Sequence, residues 1–268
     1  MCDTLAIKAP RIPLSVSLNK HFLRGCVLCA GVLLAACTPA QPDAQFNDPY
    51  ENTNRGIHEF NKGLDQALLR PAGQVTAATP EVVTTPVANF ADNVGLPGMI
   101  VNGILQGDIG GAATNSMRFV LNTTVGLGGL FDPAGGIGLN EETTDFGETL
   151  AVWGAPEGAY LELPVLGPST ERDAVGQLVD LVIDPLARYG TAEQTRAATA
   201  ARVADVAISR GRFGDTVDSL LYDSADSYAQ ARLLYLQNRR FELGITDEST
   251  GIDPFADPFI DPFAEPFE

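Results

Sequence analysis

The chain has 268 residues, of which 17 are Lys or Arg and 34 are Asp or Glu, so its formal net charge at pH 7 is −17. This balance argues against nucleic acid as a partner, because binding a phosphate backbone needs clustered Lys and Arg. Anionic lipid head groups would also be repelled at long range. The length allows one large domain or two small ones, with a sizeable core.

The first 36 residues have the layout of a secretory signal. A basic lead comes first: Lys8, Arg11, Lys20 and Arg24. An apolar run follows over residues 25–36 and is too short to span a bilayer, which needs about 20 residues. The run ends Leu34-Ala35-Ala36-Cys37, which resembles a bacterial lipobox, where the cysteine is lipidated and becomes the new N-terminus. We therefore predict a signal peptide over residues 1–36 and a lipid anchor on Cys37; the alternative is an ordinary signal peptide with an incidental cysteine.

Cysteine usage fits a lipid anchor. The four cysteines are Cys2, Cys26, Cys29 and Cys37, and only the last would survive cleavage, so we expect no disulfide and no cysteine-based metal site. Cleavage would also take the net charge to −20. Thr38, rather than aspartate, follows the cysteine, which by analogy with lipoprotein sorting favours the outer membrane. The predicted location is the periplasmic side of that membrane, where two or more acyl chains hold a protein stably.

A polar tether over residues 37–47 leads to the main domain, predicted over residues 48–244. Asp48-Pro49-Tyr50-Glu51 is a strong helix start, with an N-cap acid, a proline and an acid in the first turn. An apolar stripe follows: Ile57, Phe60, Leu64 and Leu68. Arg70-Pro71 is predicted to end this helix. His58, the only histidine left after cleavage, is interpreted as structural.

Thr79-Pro80 and Thr85-Pro86 are further helix starts in which a capping residue precedes a proline. We predict a short helix over residues 87–94 and an apolar one over residues 97–106, closed by Gly107. Asp108 can then cap a helix that runs towards Leu121.

Residues 116–139 combine an apolar sequence with many glycines, and each glycine weakens a helix by about 1 kcal/mol relative to alanine. Arg118 is the only charge between Met117 and Phe131. A buried helix of a soluble domain explains the first half but not the second. Irregular apolar backbone needs hydrogen-bond partners, and one solution is a protein-lined cavity beside a membrane. The segment is predicted to offer a lipid both polar and apolar groups: Asn122, Thr123, Thr124, Gly126, Leu127, Gly128, Gly129, Leu130 and Phe131.

Strands are scarce in the remainder, with one short candidate over residues 160–164. Three helices are predicted: residues 170–184, with Pro185 as the breaker; residues 191–208, opened by the capping box Thr191-Ala192-Glu193-Gln194; and residues 218–243. The chain is therefore predicted to be mainly α-helical, with long irregular loops rich in glycine and proline.

The tail over residues 245–268 repeats an acid, a proline and a phenylalanine with a period of four, which excludes helix and sheet. The simplest interpretation is a disordered acidic tail. The alternative is a linear recognition element that docks on a partner through four evenly spaced aromatics: Phe255, Phe259, Phe263 and Phe267.

The order of landmarks along the chain resembles the MlaA (VacJ) family of outer-membrane lipoproteins. These landmarks are Asp48-Pro49, Asn54-Arg55, Phe60-Asn61, Leu69-Arg70-Pro71, Val101-Asn102, Leu105 to Asp108, Arg118-Phe119, Leu121-Asn122, Gly126 with Gly128-Gly129, Phe131-Asp132, Phe146-Gly147, Thr149-Leu150, Leu163-Pro164, Gly167 to Thr170 and Arg172-Asp173. Each motif is weak alone, but their joint order is specific. Thr53, where the family usually has phenylalanine, and the tail repeat depart from the pattern.

The resemblance implies a helical ring embedded in the inner leaflet of the outer membrane, with a central amphipathic channel. Phospholipid misplaced in the outer leaflet would pass through this channel to a periplasmic carrier, MlaC in the family, and the ring would associate with a trimeric porin. Such a protein maintains the lipid asymmetry of the outer membrane.

The residues themselves indicate no enzyme, and no catalytic residue, metal or cofactor is predicted. Gly126-Leu127-Gly128-Gly129 does not match the dinucleotide fingerprint and follows a helix-like run rather than a strand. Acids abound, but no spacing singles out a catalytic pair. Two alternatives stay open: a structural lipoprotein that braces a porin or the cell wall, and a carboxylate-based cell-wall hydrolase.

Overall fold

The computed structural model describes residues 46–245, apart from the side chain of Ala187. Cys37 and the four tail phenylalanines lie outside the described residues. The described chain is mainly helical, which confirms the predicted fold class. Its helices are α1 Glu51–Leu64, α2 Arg70–Ala77, α3 Glu81–Gln106, α4 Ile109–Thr124, α5 Pro133–Gly136, α6 Phe146–Val152, α7 Glu171–Ile183, α8 Pro185–Tyr189, α9 Ala192–Arg212, α10 Gly214–Asp218 and α11 Ser227–Glu242. Two π-helical turns, Asp65–Leu69 and Ser219–Asp223, and two strands, β1 Tyr160–Leu163 and β2 Gly167–Thr170, complete the order.

The sequence predicts that the first helix ends at Arg70-Pro71, but in the structure the helical segment continues beyond this point. The π turn Asp65–Leu69 follows α1 directly, and α2 then continues to Ala77. A π turn is wider than an α turn, which makes room for the proline ring that would otherwise clash with the preceding turn. Asp48 is also not the N-cap, because that position is occupied by Tyr50 without a side-chain cap.

The two short helices predicted between residues 87 and 106 are one helix, α3, which carries Pro86 and Pro97 in its interior. A proline inside a helix costs about 3 kcal/mol, and tertiary packing against α4 and α9 offsets this here. The approach to α4 is close, since a Cβ built on Gly103 would lie 3.2 Å from the Cβ of Ala112. The predicted C-terminal Gly107 and N-cap Asp108 are confirmed.

The last predicted helix, over residues 218–243, is interrupted. A π turn leads into a break before α11, and the Asp226 side chain caps α11 by accepting a hydrogen bond from the Ala229 N–H. Aspartate is among the best N-cap residues, so a new helix start competes with continuation of the old one. The candidate strand at residues 160–164, the cap Thr170 and the capping box at Thr191 are confirmed.

Two asparagines of α1 bind the edge of the β-hairpin. Asn54 donates to the Tyr160 carbonyl at 3.0 Å and accepts from the Glu162 N–H at 3.0 Å. Seven residues later on the same helix face, Asn61 donates to the Leu163 carbonyl at 2.9 Å and accepts from the Val165 N–H at 2.7 Å. The side chains thus replace a neighbouring strand, and they satisfy backbone groups of an edge that would otherwise be unpaired.

His58 lies between these asparagines and is buried. Its Nε2 is 3.0 Å from the Ser227 hydroxyl, its Nδ1 is 3.5 Å from Glu162, and its ring packs edge-on against Tyr228. These contacts join α1, β1 and α11, in line with the structural interpretation of this histidine.

The distribution of polar and apolar residues is the reverse of that in a water-soluble domain. Among residues 46–245, 14 apolar residues are buried, eight of them alanines, whereas 17 polar or charged residues are buried. In the same range 30 large apolar side chains are exposed. Large aliphatic side chains are normally the most buried type, and charged ones are rarely buried unless paired. The interior is therefore held together mainly by polar contacts and small residues.

Candidate functional site

Helix α4 buries its polar face and exposes its apolar one. Its buried residues are Ala112, Asn115, Arg118 and Asn122, at spacings of three and four. Ile109, Met117 and Val120 are exposed. An amphipathic helix of a water-soluble protein would have the opposite orientation.

The buried side chains of α4 hold the loop that follows. Asn115 donates to the Glu142 carbonyl at 2.7 Å and accepts from the Glu142 N–H at 3.1 Å. Asn122 donates to Asp132 at 2.8 Å and accepts from the Ala134 N–H at 3.2 Å. Arg118 bonds to the Leu139 carbonyl and to Asp132. These contacts supply the hydrogen bonds that the irregular segment needs.

The glycine-rich segment directly after α4 forms tight turns. The N–H groups of Gly128 and Gly129 donate to the Thr123 and Asn122 carbonyls at 2.9 and 2.8 Å. Gly129 has φ +96°, and a Cβ at this position would lie 2.6 Å from the Asn93 side chain. Leu127 has φ 52°, a left-handed conformation that is uncommon outside glycine, so the turn carries backbone strain.

The predicted lipid-path residues separate into two sets. Asn122 and Gly126 are buried. Gly129 is buried as well, against Asn93. The others are exposed: Thr124, Leu127, Gly128, Leu130 and Phe131. Leu127, Leu130 and Phe131, together with Val125, form an exposed apolar loop tip beside the apolar face of α4. Their part in a lipid path stays a prediction.

A cavity lies elsewhere, between α3, α7 and the hairpin. Its volume is ≈ 640 Å³, within the range of about 300–1,000 Å³ that is usual for ligand sites. Its lining residues are Gly95, Gly98, Met99, Asn102, Thr144, Leu163, Pro164, Leu166, Ala174, Gln177, Leu178, Asp180, Leu181, Asp184 and Arg202. Leu166, Leu178 and Leu181 are exposed, so the cavity has an open, apolar rim.

Small residues of α3 create this space. Gly95 and Gly98 stand on its wall, and a Cβ at Gly98 would meet nothing within 4 Å. Met99 lies one turn from Gly95 and supplies a flexible apolar surface. The sequence analysis did not predict this site, because its lining residues come from segments up to about 100 residues apart. The one local sign of open space was the Gly-Leu-Pro-Gly run at residues 95–98.

A polar network closes part of the cavity wall. Asp180 accepts from Asn102 Nδ2 at 2.8 Å and from the Phe146 N–H at 2.9 Å. Burial raises the pKa of Asp180, although these two hydrogen bonds oppose the shift. Arg202 donates to Asp184 at 2.9 Å and to the Val94 carbonyl at 3.1 Å. The cavity therefore joins an apolar surface to a small set of fixed charges.

Together, the inverted amphipathic helix, the exposed apolar surface and the amphipathic cavity are suited to contact with lipid. None of the helices within residues 46–245 is both long and apolar enough to cross a bilayer. A family model described as "MlaA lipoprotein" matches residues 46–242. The chain belongs to this family, which confirms the resemblance inferred from its sequence.

Relatives and a solved structure agree with this assignment. The proteins named "Intermembrane phospholipid transport system lipoprotein MlaA" from Shigella flexneri and Escherichia coli K12 are each 33% identical over 78% of this chain and 84% of their own length. An uncharacterized protein of Rickettsia felis is 40% identical over 53% of this chain, and the match spans only 57% of that protein's length. A solved structure described as "Structural basis for maintenance of bacterial outer membrane lipid asymmetry" has TM-score 0.62 and 32% identity, and it covers 73% of this chain and 98% of its own.

Proposed function

We propose that this protein removes phospholipid from the outer leaflet of the outer membrane and passes it to a periplasmic carrier, which maintains lipid asymmetry. The observation that carries the proposal is the reversed distribution of residues, with a polar interior and an apolar exterior around an amphipathic cavity. A phospholipid needs a polar path for its head group and an apolar one for its acyl chains, and the cavity offers both. The names of the Escherichia coli and Shigella flexneri relatives point to the same activity.

The exposed apolar face of α4 and the loop tip at Leu127, Leu130 and Phe131 are the surface that we propose lies in lipid. Burying apolar area in hydrocarbon is favourable by about 25 cal/mol per Å². In this proposal the helices form a ring embedded in the inner leaflet of the membrane, and a trimeric porin and an MlaC-like carrier are its partners.

The proposed function predicts that phospholipid copurifies with the protein after extraction in mild detergent. Deletion of the gene should increase phospholipid in the outer leaflet and sensitivity to detergent. A bracing lipoprotein or a cell-wall hydrolase predicts neither result. Unchanged surface phospholipid in the deletion strain would count decisively against transport.

The predicted anchor is tested separately. Cys37→Ala should release the protein from membranes or leave its signal uncleaved, because the predicted acyl chains would be attached to this sulfur. The measurement is membrane fractionation with the wild-type protein as control. If the variant fractionates with the outer membrane like wild type, Cys37 is not the anchor.

A further inference from the structure

The cavity between α3, α7 and the hairpin contains one positive charge beside two negative ones. Arg202 is the only cation among its lining residues, and Asp180 and Asp184 are the only anions. Asp180 and Asp184 lie one turn apart on the α7 side of the cavity, which places side chains on the same face, with about 5–6 Å between their Cβ atoms. The formal net charge of the lining is therefore −1.

Arg202 is fixed by two hydrogen bonds and has further N–H donors that these bonds do not use. Its two described bonds, to Asp184 and to the Val94 carbonyl, use two of the five N–H donors of a guanidinium. The Arg202 side chain is 45% exposed, so the remaining donors are accessible from the cavity. A guanidinium fixed in this way is suited to bind the oxygens of a phosphate, because its donors form a rigid fork.

Asp184 is paired directly with Arg202, and Asp180 lies one turn before it along the chain. Both oxygens of Asp180 accept hydrogen bonds, from Asn102 and from the Phe146 N–H, as fits an ionised carboxylate. Asp184 accepts from Arg202 and from the Leu186 N–H. A ligand that brings only negative charge would meet a lining that is already negative, whereas a ligand that also carries an amine would find two carboxylates nearby.

We propose that this cavity selects phospholipids whose head group carries both a phosphate and a primary amine. Arg202 binds the phosphate, and Asp184 and Asp180 attract the ammonium group. The acyl chains lie against the apolar wall formed by Met99, Leu178 and Leu181. This inference rests on the proposed function, and it adds a preference for zwitterionic over anionic lipid.

The test is competitive loading of the full-length protein. Detergent-purified protein is mixed with micelles that contain equal amounts of phosphatidylethanolamine and phosphatidylglycerol with identical acyl chains. The protein is then re-isolated, and each bound lipid is quantified by mass spectrometry. We expect the amine lipid to exceed the glycerol lipid by about tenfold, the effect of one additional hydrogen bond to a charged group.

Variants assign the effect to residues. Arg202→Gln should lower total bound phospholipid by about tenfold, since the phosphate loses its charged partner. Arg202→Lys should restore part of the binding, because it keeps the charge and loses the fork. Asp184→Asn should bring the ratio of the two lipids close to one. Arg212→Gln is the matched control, since Arg212 is exposed near the end of the same helix and does not line the cavity.

Each outcome is decisive. Equal binding of the two lipids by wild type would overturn the inference and leave the proposed function standing, whereas absence of any bound phospholipid would overturn both. Unchanged total binding by folded Arg202→Gln would overturn the phosphate assignment. Circular dichroism identifies variants that fail to fold, and the wild-type ratio tests the preference without any variant.

Discussion

Asp173 shows how single polar residues stabilise this fold. Its carboxylate accepts hydrogen bonds from the Thr170 hydroxyl at 2.9 Å and the Tyr235 hydroxyl at 2.7 Å, and from Arg239 at 3.2 Å. Burial alone would raise its pKa, but the hydrogen bond from Tyr235 and the charges of Arg239 and Arg172 outweigh burial and lower it. One buried carboxylate thus joins α7 to α11.

This network predicts a loss of stability in acid. The pKa of Asp173 in the folded state is below its unfolded value of about 3.9. At pH values between these two pKa values, the folded protein therefore binds fewer protons than the unfolded protein. The stabilisation that ionised Asp173 contributes is complete above about pH 4, and it is lost as the pH falls through the pKa that Asp173 has in the folded state. Asp173→Asn should remove this part of the pH dependence, measured as unfolding temperature against pH in detergent.

Asp180→Asn provides a control of opposite sign. The pKa of Asp180 is raised in the folded state, so its contribution to stability decreases as the pH rises through that value. Replacing Asp180 should therefore steepen the acid loss rather than flatten it. If the two variants show the same dependence of unfolding temperature on pH, the opposite pKa shifts of Asp173 and Asp180 are contradicted.

Two neighbouring glycines of the turn after α4 should differ in their tolerance of substitution. Both have positive φ, but only Gly129 lies against another side chain, that of Asn93. Gly128→Ala should cost about 1–2 kcal/mol through backbone strain, and Gly129→Ala should cost more, because its Cβ also overlaps Asn93. Chemical unfolding of both variants checks this order, and equal losses would contradict it.

The same turn is where we expect a lipid gate. Gly128→Val should impair lipid transport more than it impairs folding, because strained segments are the ones that move. Gly129→Val should also impair transport, beyond the loss of stability that its overlap with Asn93 causes. Lipid transfer is compared with the unfolding temperature of each variant. Full transport activity in both would exclude this segment from the mechanism.

At the scale of elements, the two π turns meet at one buried ion pair. Asp65 begins the first π turn and accepts from Arg210 Nε at 2.8 Å, and it also accepts from the hydroxyl of Tyr222, in the second π turn, at 2.8 Å. Arg210 also bonds to Asp218, directly before the second turn. The pair therefore joins α1, α9 and the segment before α11.

Removal of this arginine should destabilise the fold strongly. Arg210→Ala leaves Asp65 buried without its charged partner, which costs about 3–5 kcal/mol. Arg55 forms a comparable pair with Asp226 at 2.9 Å, but the side chains of Arg55 and Asp226 are 40% and 45% exposed. Arg55→Ala should therefore cost about 1 kcal/mol or less from this ion pair. Denaturant unfolding of both variants measures the difference, and similar losses would refute the distinction.

Elements with local signals were predictable from the sequence, and those decided by packing were not. The capping box at Thr191, the cap at Thr170 and the glycine end at Gly107 depend on a few adjacent residues. The prolines in α3 carry an equally clear local signal, for a break, yet contacts with α4 and α9 override it. The cavity also depends on packing, since residues far apart in sequence, such as Arg202 and Val94, meet at its wall; the glycines at residues 95–98 were its one local signal.

At the scale of the whole molecule, the tail is the part of the sequence that the proposed function does not use. Proline keeps an extended backbone stiff, so less entropy is lost on binding than for a flexible tail. Each phenylalanine that enters an apolar pocket contributes about 1.5–3 kcal/mol, and repetition raises the effective concentration. The proposed receiver is the periplasmic carrier or an outer-membrane barrel.

Two variants test tail docking. One is truncated after Ile252, and the other carries serine in place of Phe255, Phe259, Phe263 and Phe267. Both should lose partner binding in pull-down experiments and transport lipid more slowly, whereas alanine in place of Asp253, Asp257 and Asp261 is a control that keeps the aromatics. If neither variant loses binding or transport, the tail is only a solvated acidic extension.

The outward-facing apolar side chains of α4 and its loop tip also bear on how the molecule reaches its destination. In the proposed location, the chain would have to cross an aqueous compartment before it reaches the membrane, with these exposed apolar side chains uncovered. Apolar patches of that kind promote aggregation in water. The proposal therefore implies an escort that covers the apolar face during transit and releases it at the bilayer. The yield of correctly delivered protein would then depend on the supply of this escort as well as on the fold.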